Sequence, residues 1–145
     1  MKILKILAVV LFTSGFAKAQ ELNSADVPGN LNDAFNKEYP KATNAEWKKE
    51  LDHYKVEFDL DRRDHEVWYN ASGNMLKKEL EITEAELPQV VRSIIKSKYA
   101  GYRVDDVEMV WKNKVKTYEV ELEKGQDEKH IIFDEKGKVL NERNH

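Results

Sequence analysis

An ordered series of matches between the two halves of this chain constrains its fold more than any other feature. Val27-Pro28 returns as Leu87-Pro88, and Tyr39 as Tyr99, both at an offset of 60 residues. From there the offset becomes 64. Trp47 matches Trp111, Tyr54-Lys55-Val56-Glu57-Phe58 matches Tyr118-Glu119-Val120-Glu121-Leu122, and Val67-Trp68-Tyr69-Asn70 matches Ile131-Ile132-Phe133-Asp134. Gly73 then matches Gly137, and Met75-Leu76 matches Val139-Leu140. One such match is chance, but an ordered series reads as two diverged copies of one unit.

Each copy opens with a helical pattern. Leu31, Ala34, Phe35 and Tyr39 form one stripe, and Leu87, Val90, Val91, Ile94 and Ile95 form the other. Pro28 and Pro88 suit a first helical turn, where a missing N–H is harmless. Thr83 and Glu86 have capping-box spacing. A helix from Thr83 would enclose Pro88, so a turn followed by a helix starting near Leu87 is the better reading.

The remainder alternates with period two. Tyr54, Val56, Phe58 and Leu60 share one face of a strand, and Lys55, Glu57 and Asp59 the other. Tyr118, Val120 and Leu122 repeat this against Thr117, Glu119 and Glu121. Further strands are expected near Glu46–Leu51, His65–Asn70, Met75–Ile82, Val107–Lys112, Lys129–Asp134 and Val139–Glu142. Ala71-Ser72-Gly73-Asn74 and Glu135-Lys136-Gly137-Lys138 supply tight turns. The expected class is α+β, a helix packed on an antiparallel four-stranded sheet, α-β-β-β-β twice. One sheet face meets the helices, the other solvent or a partner, and the two units join sheets or share a core.

Met1 to Ala19 is set apart from this pattern. Lys2 and Lys5 precede an apolar run, Ile6 to Phe16, and Ala17-Lys18-Ala19 has the small-x-small form of a cleavage site. A signal peptide over 1–19 is expected, then a linker over 20–26, a first repeat over 27–82 and a second over 83–145. The run is too short for a comfortable membrane span. Periplasmic or secreted location follows, with no membrane span after cleavage. Loss of Lys2, Lys5 and Lys18 takes the formal charge from −3 to −6, an unsuitable balance for nucleic acid. The chain contains no cysteine, which excludes disulfides, thiolate metal sites and cysteine nucleophiles.

The order helix, Trp, Tyr-x-Val-x-Phe/Leu, then apolar-x-Phe/Tyr-Asn/Asp-x-x-Gly-x-apolar-Leu resembles PepSY-like domains. Asp134-x-x-Gly137-Lys138 matches the family's turn well, and Asn70-x-x-Gly73-Asn74 more loosely. In tandem, over nearly all of Val27 to Glu142, the chain looks like the exported PepSY-like, beta-lactamase-inhibitor-like proteins of Bacteroidetes. The resemblance implies tandem helix-on-sheet units, as in beta-lactamase inhibitor protein, which binds its target across a concave sheet. PepSY domains in propeptides restrain metallopeptidases. Neither target transfers on fold alone, and the absence of cysteine departs from the disulfide-bearing inhibitor.

The outward sheet face is the candidate protein-binding site. Parity places Trp68 opposite Val67 and Tyr69, and Ile132 opposite Ile131 and Phe133, among Lys55, Glu57, Glu119 and Glu121. A large apolar residue among charges is an interface anchor in form; the alternative is that Trp68 and Ile132 pack against the other copy. Trp47 and Trp111 read as core residues. A second reading places a small ligand, or an envelope-stress role, in a cleft between the repeats lined by Trp47, Trp111 and Tyr54.

No catalytic motif emerges. His53, His65, His130 and His145 fall in no His-Glu-x-x-His pattern, and neither a phosphate loop nor a Gly-x-Ser-x-Gly turn is found. Asp59 to Glu66 is rich in oxygen donors but lacks calcium-loop spacing and carries two arginines. No cofactor, metal or catalytic residue is assigned. The expectation is an exported non-catalytic protein-binding or inhibitory module, its partner an exported or envelope protein such as a peptidase or other hydrolase.

Overall fold

The computed structural model describes residues 20–144. The expected signal segment over 1–19 lies outside the described residues. In chain order the elements are β1 (Gln20–Leu22), α1 (Gly29–Glu38), β2 (Thr43–Glu50), β3 (His53–Leu60), β4 (Arg63–Asn70) and β5 (Met75–Glu81). They continue with α2 (Gln89–Lys98), β6 (Arg103–Lys112), β7 (Val115–Lys124), β8 (Asp127–Asp134) and β9 (Val139–Asn144).

All nine strands form one antiparallel sheet in the order β1 to β9, each paired with its sequence neighbour. Of the two expected arrangements, joined sheets or a shared core, the described residues show the joined sheet, with β1 as an added edge strand. The seam is β5 against β6, where Lys78 faces Trp111 and Leu80 faces Met109. Gln20–Leu22, within the stretch read as a linker, adds β1 to the edge by pairing with Trp47 to Lys49.

Both helices start just after proline. Pro28 and Pro88 occupy the N-cap positions, one place before the helical turn expected for them. Their carbonyls accept from Asn32 and Arg92, closing the first turns. Tyr39 and Tyr99 end the helices, each N–H donating to the carbonyl four residues back. Thr83 and Glu86 build a separate 3-10 turn over Glu84–Glu86, in which the Thr83 N–H and hydroxyl both donate to Glu86 Oε2 at 2.9 Å. α2 therefore begins at Gln89 rather than near Leu87.

Strand parity sends alternate side chains to one helix-bearing face, where two cores form. In the first, Leu31 and Phe35 of α1 meet Trp47, Val56, Phe58, Val67 and Tyr69. In the second, Val91 and Ile95 of α2 meet Val107, Tyr118, Val120, Leu122, Ile131 and Phe133. Each fully buried large side chain contributes roughly 1.5–3 kcal/mol by leaving water. Phe35 lies edge-on to both Trp47 and Phe58, at 5.7 and 4.9 Å between centroids. Lys78 is a charged side chain on the helix-bearing face of the seam. Its ammonium sits 5.2 Å over the Tyr39 ring and 5.4 Å over Trp111, so its stem covers aromatic surface between the cores.

The two β-hairpin turns that carried the resemblance share one geometry. Asn70 Oδ1 accepts from the N–H groups of Ser72 and Asn74, and Asp134 Oδ1 from those of Lys136 and Lys138. Gly73 and Gly137 both sit at φ +83°, which a side chain disfavours. Asn and Asp are interchangeable here because one acceptor oxygen organises the turn.

Candidate functional site

With both helices on one side, the outer face of the sheet is left to charged side chains arranged in rows across the strands. Along one row, Glu46, Glu57, Glu66 and Glu79 stand directly opposite one another on β2 to β5. The neighbouring row runs Lys48, Lys55, Trp68, Lys77 and Lys112 on β2 to β6. Like charges placed opposite each other destabilise a sheet, and diagonal ion pairs relieve this. Lys48 reaches Glu57 at 2.7 Å, Lys55 reaches Glu57 at 2.9 Å and Glu66 at 2.5 Å, and Lys77 pairs with Glu79.

Trp68 lies in the lysine row and is half-buried. The ammonium groups of Lys77 and Lys55 sit 4.4 and 4.9 Å from its ring centroid. The indole is thus on the expected face, but two lysines lean over it. Such contacts contribute about 0.5–1 kcal/mol each where solvent reaches them.

The second half of the face is acidic. Glu108 on β6 stands between Glu81 on β5 and Glu119 on β7, and Glu119 in turn faces Ile132 on β8. Glu121 faces Asp106 and His130. Six carboxylates, Asp64, Glu66, Glu79, Glu81, Asp106 and Glu108, line a cavity of about 250 Å³. Burial, reinforced by Glu79 and Asp106, pushes the Glu108 carboxyl up to about 8. Burial also raises Glu79 and Glu121. Glu119 is held low by its hydrogen bond to His130, whose Nε2 lies 3.1 Å away, and the same bond raises His130. Among the described residues no group of three or more histidine or acidic side chains converges as metal ligands.

All six residues expected at a protein-binding site, Trp68, Ile132, Lys55, Glu57, Glu119 and Glu121, therefore share this face, in two groups separated by β5 and β6. Sequence reading did not single out Glu66, Lys77, Glu79, Glu108 or His130. Parity alone assigns them to the outer face, but their opposition across strands depends on a register that one sequence does not display. Trp47, Trp111 and Tyr54, the alternative ligand set, lie on the helix-bearing face. Trp47 is sealed in the first core, tilted against Tyr69 at 6.0 Å, whereas Trp111 sits at the seam under Lys78.

A model of the family described as putative beta-lactamase-inhibitor-like, PepSY-like matches residues 14–77 and 52–141. The chain belongs to this PepSY-like family. A BLIP-like protein from Bacteroides fragilis is 30% identical, with a TM-score of 0.71 over 81% of this chain and 85% of that one. A DUF2874 family protein from Bacteroides uniformis is 24% identical, with a TM-score of 0.76 over 81% of this chain and 89% of the other. A putative periplasmic protein from Bacteroides eggerthii is also 24% identical, with a TM-score of 0.76 over 81% and 88%. No curated protein sequence matches the chain. The periplasmic or secreted location expected from the sequence agrees with the periplasmic description of the Bacteroides eggerthii protein.

Proposed function

We propose that this PepSY-like protein is an exported, non-catalytic binding or inhibitory module whose outer sheet face receives a protein of the cell envelope. The observation that supports this most is the uncovered face itself. Nine strands carry helices on one side only, and the free side presents an indole between two lysines beside rows of carboxylates. Trp68, Lys55 and Glu57 form the contact in the first half, and Ile132, Glu119 and Glu121 in the second. Displacing Lys55 and Lys77 from the indole would open a large apolar surface for a partner, as tryptophan hot spots do. The carboxylate rows favour a partner with cationic side chains there. The beta-lactamase-inhibitor-like relatives suggest an exported hydrolase or peptidase as the class of partner. Cleavage before Gln20 would release the module from its signal peptide.

The test is recovery of partners from an envelope fraction by the wild type, by Trp68→Ala, and by Lys98→Ala at the exposed end of α2. Partners retained by the wild type and by Lys98→Ala but lost by Trp68→Ala support the reading. Equal recovery by all three removes the outer face from it.

A further inference from the structure

Six large apolar side chains stand exposed among the described residues: Leu51, Met75, Leu76, Val90, Val115 and Leu140. Exposed apolar residues scattered singly are ordinary. These are not scattered, because every one lies at the same end of the sheet. Leu51 forms the β2–β3 turn, Met75 and Leu76 open β5, Val115 opens β7 and Leu140 follows the β8–β9 turn. Val90, in the first turn of α2, abuts Gly137 of that last turn. The opposite turns, β3–β4 and β7–β8, carry Asp61, Arg62, Gly125 and Gln126 instead.

Lysines accompany the apolar fringe. Lys112, Lys114 and Lys116 surround Val115, and Lys136 and Lys138 flank Gly137. Lys116 is engaged with Glu135 at 2.6 Å, while Lys112, Lys114, Lys136 and Lys138 are exposed. Leu51 is 78% exposed and holds a φ of +41°, a conformation that turn chemistry normally gives to glycine, asparagine or aspartate. Arg62 and Lys114 hold positive φ at their turns as well, so it is the exposure of its apolar side chain that sets Leu51 apart. Gln20 pairs with Lys49 beside the β2–β3 turn, so β1 starts at this same end.

We propose that this hairpin-tip end seats on an anionic lipid surface. The four turns follow one another across β2 to β9, a width of about 35 Å at the usual strand spacing. Apolar side chains one or two strands apart make no continuous patch for a protein core, but each can enter the headgroup boundary singly, while flexible lysines meet phosphate groups. Seated on its end, the protein keeps its outer sheet face open, so this inference stands or falls separately from the binding reading above.

The experiment is flotation of residues 20–145, which contain both cores and all nine strands, with phosphatidylcholine vesicles made with and without phosphatidylglycerol. Binding to the anionic vesicles alone, weakened by salt, is expected. Lys112→Gln and Lys114→Gln should each reduce partitioning about five-fold, the equivalent of about 1 kcal/mol per lysine. Leu51→Ser with Val115→Ser should reduce it further at unchanged thermal stability, and Arg62→Gln at the opposite turn should leave it unaltered. Three results overturn the proposal: no anionic preference, an equal loss with Arg62→Gln, or sedimentation showing a dimer that Val115→Ser dissociates, which would make a second copy the occupant.

Discussion

Replacing Glu108 by glutamine should stabilise the protein above neutral pH and do little in acid. In the folded chain this carboxyl is raised from 4.5 to about 8, chiefly by burial and then by the neighbouring carboxylates. The sign follows from linkage: the raised group supports the fold fully below pH 4.5, and that support is lost as pH rises through about 8, because the unfolded chain releases the proton first. Each unit of difference corresponds to about 1.36 kcal/mol, so the ceiling over this window is about 5 kcal/mol. Glu108 is only partly buried and lines an open cavity, so about 1–2 kcal/mol is the expected loss after screening. Glutamine keeps the shape and cannot ionise. Urea unfolding of both proteins at pH 4.5 and at pH 8.5 should show similar midpoints in acid and a Glu108→Gln advantage of about 1–2 kcal/mol at the higher pH. Identical pH slopes for the two proteins would refute the reasoning, since they would mean that Glu108 ionises in the folded state as it does in the unfolded one.

His65 should act in the opposite direction. It is buried, stacked on Phe58 at 5.2 Å, and lowered by desolvation and then by Lys78. Its support is complete above about 6.5 and is lost as pH falls through the lowered folded value, so His65→Phe should lose less stability than the wild type between pH 7 and pH 5 in thermal melts. Gly137→Ala should be more damaging than Gly73→Ala. Both require a left-handed backbone, but the added Cβ at Gly137 would lie 2.7 Å from Ile94 Cδ1, whereas at Gly73 the nearest atom is 3.4 Å away. Denaturant unfolding should place the difference at about 1–3 kcal/mol, the range for overpacking. Ile131→Ala, at a fully buried position of the second core, should cost about 2–5 kcal/mol in the same assay.

The fold was legible where one physical rule acts alone. Tyr54, Val56 and Phe58 announce their common face because a strand has period two, and Gly73 and Gly137 announce turns because an acceptor side chain and a left-handed residue recur at fixed spacing. Legibility failed where segments distant in sequence choose one another. Nothing in Met75–Glu81 alone tells that its free edge will pair with β6, so joined sheets and a shared core both stayed open. β1 was missed because three residues give too little alternation to read. The candidate site divides in the same way. Parity put Trp68 and Ile132 on the outer face, but the lysines over Trp68 and the opposition of Glu108 to Glu81 and Glu119 depend on cross-strand register.

The claim that the outer sheet face is where a partner binds is tested most directly by site-specific photocrosslinking in the cell envelope. A photoreactive side chain would be placed in turn at Glu66 and Thr117 on the outer face, and at Asn36 and Ser97 on the helices. The account predicts discrete protein adducts from Glu66 and Thr117, abolished by Trp68→Ala at the first of these, and none from the helical positions. Adducts arising only from Asn36 or Ser97 would contradict it.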